Sequence, residues 1–324
     1  MDTGFTVAQL RAVVTDAVRA PSLHNSQPWR FRLHDGGIEL SVDPTRRLPA
    51  TDPSGWGTRI ACGAALFNLR LALAVAGAPA SVRLRPYPTE PDVIARLVPD
   101  LPRRPTPAEQ SLHAAIPRRF SNRAPFWPDP VPADARWRLG EAARAEQGWL
   151  ELLIGVSAVN AFAEIARSAN RVLERDPGYR TELAEWVRTE PAPDGVPVAA
   201  GGPQSEPQDL LPARGFGGRN RAPGRDFEPE PLVAVLGSAG NTATDQIVAG
   251  QALQRVLLTA TDAGLGVSMM SQPIEVPGAR EALRLSLGRF GTPQMVMRIG
   301  YGQPGRPTPR RGVEDVLDLP VSHG

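Results

Sequence analysis

The chain is 324 residues long, 41% hydrophobic and 22% charged, enough apolar material for about two domains and unlike a disordered tail. All 36 basic residues are arginine, so a Schiff-base enzyme, a Walker-type phosphate loop and a protein kinase are excluded, each of which needs a side-chain amine. Against 34 acidic residues the net charge is +2, which gives no case for a nucleic-acid partner. In chain order, the first predicted element is a helix opened by Thr6, with Gln9 completing a capping box and Val7, Leu10, Val14 and Val18 on one face. Pro21 ends it. Residues 29–34 and 38–42 alternate apolar and polar side chains across Asp35-Gly36-Gly37, the pattern of a β-hairpin. A helix over about 58–75 lies in the most apolar stretch, 61–80, which Arg70 interrupts. With no signal-like start in MDTGFTVAQL, no membrane span is predicted and a cytoplasmic protein is expected. A short strand follows near 81–85, and Thr106-Pro107-Ala108-Glu109 forms a second capping box. Ser157 is expected to cap a helical region reaching about Arg188, broken at Asp176-Pro177-Gly178. A strand at 232–236, a helix at 244–263 and a strand at 293–300 complete an α+β class, with helices packed on mixed β-sheets.

Two parts of the chain repeat. Gly63-Ala-Ala-Leu66, Leu73, Gly77 and Ser81-Val82 lie over Gly250-Gln-Ala-Leu253, Ala260, Gly264 and Ser268-Met269, and both glycine pairs are 14 residues apart. Each second glycine sits where a helix would end. The repeat predicts a duplication, one chain folding as its own pseudo-dimer. Between the copies, residues 189–231 hold 9 prolines and 7 glycines in 43 positions, with Arg214, Arg219, Arg221 and Arg225 beside Phe216 and Phe227. Such a segment is either a disordered insert or a lid. One cysteine, Cys62, and four scattered histidines exclude an internal disulfide and a cysteine-rich metal site. The Gly300-Tyr-Gly302-Gln-Pro-Gly305 string fails as a dinucleotide fingerprint, because Pro304, Pro307 and Pro309 forbid the helix that must follow. No GxSxG elbow is present.

The most distinctive string is Arg19-Ala-Pro-Ser-Leu-His-Asn-Ser-Gln-Pro-Trp29, between a helix and a strand. Its amides and hydroxyl offer donors and acceptors to a planar, imide-bearing ring without charge or nucleophilicity. The string closely resembles the signature of the FMN-dependent nitroreductase superfamily, in which this turn lies against the flavin ring. The resemblance implies that Ser22 and Asn25 contact the ring and that Pro21 and Leu23 line it, with Gln27 and Trp29 supporting the turn. The family's arginine-rich phosphate motif is similar to Pro117-Arg118-Arg119-Phe120-Ser121-Asn122-Arg123. By that likeness Arg119 and Ser121 meet the phosphate and ribityl chain, and Arg123 the pyrimidine end of the ring. Forked guanidinium groups suit a phosphate dianion. Pro273, Ile274 and Glu275 match the stretch whose backbone amides face the flavin's reactive edge, and Arg310 and Arg311 match a late basic pair at the phosphate.

A fused chain with the ring turn in one half and the arginine motif in the other resembles the Acg family of FMN-binding proteins over its full length. That implies a first half at 1–116, a second at 117–324 carrying the insert as a lid, and one shared flavin. The implied activity is hydride transfer from NADPH or NADH through FMN to an electron-poor small molecule, with no side chain as acid–base catalyst and no metal. A flavin-sequestering protein with little turnover is the alternative, and a dedicated flavin dehydrogenase a third reading. Neither nucleic acid nor membrane is expected as a partner. The expected assembly is a monomer with pseudo-two-fold symmetry or a homodimer.

Overall fold

Three threonines set the frame of the computed structural model, which describes residues 4–204, 206, 209–218, 228 and 231–318. Thr6, Thr106 and Thr242 each accept the backbone N–H three residues on, and Gln9, Glu109 and Asp245 each return a bond to the threonine N–H. These reciprocal caps satisfy two otherwise orphaned donors apiece. The first set of elements runs α1 (Val7–Ala17), β1 (Trp29–His34), β2 (Gly37–Val42), α2 (Trp56–Val75), β3 (Ala80–Leu84), β4 (Val93–Pro99) and α3 (Pro107–Ala115). The second set starts with α4 (Ala133–Ala145) and β5 (Trp149–Leu153), followed by α5 (Val156–Arg175) and α6 (Pro177–Glu185). Two-residue strands β6 (Val187–Arg188) and β7 (Val196–Pro197) precede β8 (Leu232–Ser238), α7 (Ala243–Asp262) and β9 (Gly266–Met270). Then come α8 (Gln272–Glu275), α9 (Pro277–Ser286), β10 (Thr292–Gly300) and β11 (Leu317–Asp318).

The larger sheets follow one plan. Strands β1-β2-β4-β3 lie in the first and β5-β8-β10-β9 in the second, every one of these pairs antiparallel. A long helix occupies the same place in each order, α2 between β2 and β3, α7 between β8 and β9. Each ends on a left-handed glycine, Gly77 at φ 77° and Gly264 at φ 73°. Only the first sheet is mixed, because β11 adds to it parallel to β1.

The core sits where α2 and α7 cross. A Cβ on Gly63 would lie 2.2 Å from the Ile247 carbonyl oxygen, and one on Gly250 would lie 2.2 Å from that of Ile60; in both cases the partner glycine's Cα would be 2.9 Å away. The side chains exchange in the same symmetric way. Ile247 of α7 packs into the core of the first sheet, while Trp56 and Ile60 of α2 pack into that of the second. By length and hydropathy α2 could cross a membrane, but its apolar window is 83% buried inside the protein. It is the shared core helix.

Several expectations shift in detail. Ser157 does not cap the fifth helix; Gly155, at φ 88°, precedes it, and Asp176 caps α6 through the amides of Gly178 and Tyr179. The elements β4, α4, β5, β9, α8, α9 and β11 are not among the expected ones, although Pro277 opens α9 at its first position. Residues Arg219, Arg221, Arg225 and Phe227 of the insert lie outside the described residues.

Candidate functional site

The turn between α1 and β1 is held in an uncommon conformation. His24, Asn25 and Gln27 all have left-handed φ values, 50°, 56° and 53°. For non-glycine residues each costs of order 1–3 kcal/mol unless the surroundings fix it. Here they do. The Ser22 hydroxyl accepts the Gln27 amide at 2.9 Å, Gln27 Nε2 donates to the Pro193 carbonyl at 2.9 Å, and Gln27 Oε1 accepts the Arg311 amide at 2.8 Å. Asn25 Nδ2 donates to Gly195 O at 2.9 Å and Pro309 O at 3.0 Å, while its Oδ1 accepts from Arg310.

This turn forms one wall of a cleft of about 1260 Å³, open mouth included. Pro21, Ser22, Leu23 and His24 face it from the turn, Trp56, Ile60 and Leu253 from the central helices, and Ser121 and Arg123 from the second half. Met269, Met270 and Met295 add a polarisable apolar surface. Leu210, Leu211, Arg214 and Phe216 of the insert line it too. Mostly apolar walls with a few convergent polar groups are what a planar organic ligand needs.

Beside Pro21 lies a buried cationic cluster. Arg119 donates to the Arg19 carbonyl at 3.0 Å, and Arg310 to the Arg19 and Ala20 carbonyls. Arg119 is buried and Arg310 half-buried with its Nε enclosed, neither pairs with a carboxylate among the described residues, and the Nε of each has no hydrogen-bond partner. Burial pulls Arg119 down to about 10, and burial with the charges of Arg119 and Arg19 pulls Arg310 down to about 9. Guanidinium groups stay protonated at neutral pH even so. Two buried like charges with spare donors therefore lack an anion. Arg123, also pulled down to about 10 by burial and by Arg214, donates to Ala200 O at 2.9 Å and stacks over Phe216 at 4.8 Å.

The predicted residues thus divide. Pro21, Ser22, Leu23, Ser121 and Arg123 meet at the cleft, and Arg119 with Arg310 at the cationic cluster. Asn25 stands behind the wall, its amide committed to the insert and the C-terminal segment. Arg311 is turned away, bonded to Asp43 at 3.2 Å and to the Asp315 carbonyl. The amides of Ile274 and Glu275 donate to Ser271 O at 2.8 and 3.0 Å, and Pro273 has no N–H, so Ser271 and Gln272 face the cleft instead. The Glu275 carboxylate is completely buried against Arg214 at 2.6 Å. That pair, and Arg19, were not foreseen; only the position of Arg19 next to the turn motif hinted at its part. His24 is kept neutral, well below the usual histidine range, by burial and by the charges of Arg214 and Arg123.

The insert is tied down along its first part. Asp194 accepts from both Arg46 and Arg188, and although burial would raise its carboxyl, these hydrogen bonds hold it below its ordinary value. Asp194→Ala should cost about 1 kcal/mol of stability and speed proteolysis within 193–216. Urea melts with limited trypsin digestion check this; unchanged protection would mean that the other contacts suffice.

No family model matches the chain. Over 329 aligned positions, 99% of this chain and 94% of the relative, it is 36% identical to "Putative NAD(P)H nitroreductase Rv3131" of Mycobacterium tuberculosis. It is 31% identical to "Putative NAD(P)H nitroreductase acg" of the same organism, over 98% of each chain. Among solved structures, the FMN-dependent nitroreductase NfnB of Mycobacterium smegmatis in complex with NADPH is 19% identical, with a TM-score of 0.42 over 64% of this chain and 96% of that one. A nitroreductase with bound FMN from Bacteroides fragilis is 15% identical, with a TM-score of 0.37 over 62% and 92%.

Proposed function

Because the chain belongs to the Acg family of the nitroreductase superfamily, we propose that it binds one FMN in the cleft between its two halves and carries hydride from NAD(P)H to an electron-poor small molecule. The observation that carries this reading is the buried Arg119–Arg310 pair, free of carboxylates among the described residues and holding two unpaired Nε donors. A phosphate dianion would neutralise the pair and take up those donors. The adjoining cleft, with Pro21, Ser22 and Leu23 on one side and a methionine surface on another, suits a planar ring.

Bound FMN supplies two-electron hydride chemistry that no side chain can. The residues supply the rest. Arg119 and Arg310 hold the phosphate, Ser121, two residues on from Arg119, lines the cleft, and Arg123 sets a positive potential at the ring-binding wall. Leu210, Leu211 and Phe216 exclude water. Cys62 is buried with its thiol pushed far up, so it supplies no nucleophile. We read 1–116 and 117–324 as homologous halves, supported by the shared strand order and the symmetric glycine crossing.

One observation favours a second reading. The insert lines the cleft and takes Arg123 and Asn25 as anchors, as a cover over a sequestered flavin would. A visible spectrum of the purified protein, then the same sample with NADPH or NADH under anaerobic conditions, separates the two. A flavin band that bleaches rapidly is the expected result for the oxidoreductase. A band stable to both nicotinamides but lost with dithionite would favour sequestration, and no band even after FMN addition would overturn both.

A further inference from the structure

A second cleft of about 710 Å³, mouth included, opens on the other side of the α2–α7 crossing. Its place follows from the symmetry of the fold. Gly63 and Gly250 are 187 residues apart. The same offset carries Trp56 and Ile60, which line the first cleft, onto Ala243 and Ile247, which line the second. It also carries Arg85, in the second cleft, onto Gln272, in the first. The second cleft is the counterpart of the first, with different chemistry on its walls.

Three guanidinium groups line it, Arg47, Arg59 and Arg85, against two carboxylates, Asp52 and Asp92. Both carboxylates are spent. Asp52 accepts the amides of Gly57 and Thr58 and the Thr58 hydroxyl at 2.8–3.0 Å, closing the start of α2. Asp92 pairs with Arg47 at 2.9 Å. Among the described residues Arg59 binds only neutral acceptors, Gln246 Oε1 and the Ser54 carbonyl, both at 2.6 Å. Burial and the charge of Arg85 lower it, against the opposing pull of Asp52. Arg85 has no side-chain hydrogen bond or ion pair among the described residues, and its backbone is left-handed at φ 44°. We propose that this cleft binds a small oxyanion, a phosphate or phosphate monoester, between Arg59 and Arg85. The fork of Arg85 matches two oxygens of such a group, Arg59 keeps its Nη1 to donate, and the anion removes their mutual repulsion.

Calorimetric titration of the FMN-loaded protein with inorganic phosphate, and separately with AMP, tests the site. Saturable binding is expected, weakened about tenfold or more by Arg85→Ala, with the flavin spectrum unchanged. Stronger binding of AMP than of phosphate assigns the site to a monoester, and the reverse to the free anion; either supports it. Absence of saturable binding, or binding that Arg85→Ala leaves intact, overturns it. Arg119→Met supplies the remaining control and permits the same titration on protein without flavin. Binding that disappears in that variant, or is displaced by FMN, belongs to the first cleft and overturns the proposal. Arg85 is exposed and unpaired among the described residues, so its removal should leave folding intact.

Discussion

Arg119→Met is expected to weaken FMN binding about 10- to 150-fold, the equivalent of about 1.5–3 kcal/mol for one charge-assisted bond to phosphate. The same substitution should not destabilise the flavin-free protein, and should raise its melting temperature. Its guanidinium is buried beside that of Arg310 with no carboxylate among the described residues, and it donates to the Arg19 carbonyl. Exchanging such a charge for an apolar side chain of similar volume removes a desolvation penalty and a repulsion. The two effects have opposite signs, which separates an anion site from a structural arginine. A variant that melts lower and binds FMN as before would place Arg119 in the scaffold.

Gly63→Ala should have the larger effect on folding, about 3 kcal/mol or more. The new methyl would stand 2.2 Å from the Ile247 carbonyl oxygen and 2.9 Å from the Gly250 Cα, where neither neighbour is a side chain that could swing away. The helices would have to separate, and both cores contain residues delivered by the opposite helix. Gly250→Ala meets the mirror-image obstacle at Ile60 and should cost the same. Gly278→Ala is the control. Nothing lies within 4 Å of its Cβ position in α9, so a gain of about 0.4–1 kcal/mol is expected from reduced freedom of the unfolded chain. Urea melts of the three variants check the set. Equal, mild losses at Gly63 and Gly278 would mean that the crossing is soft.

The features legible in the sequence were those with short-range causes. Capping boxes at Thr6 and Thr106, the hairpin turn at Asp35-Gly36 and the helix-ending glycines at 77 and 264 all act within a few residues, and each lies where its pattern placed it. The turn motif and the arginine motif could be located because a resemblance set them against a known pattern. What could not be read is the work of partners far away. Asn25 looks like a ligand-facing amide, yet its donors go to carbonyls at positions 195 and 309. Arg310 and Arg311 are neighbours in sequence with opposite fates, since one is drawn into the buried cluster and the other to Asp43. Peptide amides near 274 look available until α8 forms and turns them back on Ser271.

The strand β11 has a consequence for how the chain reaches its native state. Phe31 and Leu317 are in register, and Arg30 meets Asp318 at 2.7 Å across 288 residues of sequence. The edge of the first sheet therefore stays bare until residues 317 and 318 have left the ribosome. During synthesis β1 presents unpaired backbone donors and acceptors, an invitation to associate with other nascent chains. High contact order of this kind slows folding. A chain stopped short of residue 310 would carry a nearly complete N-terminal sheet with an open flank and no Arg310 to finish the cationic cluster.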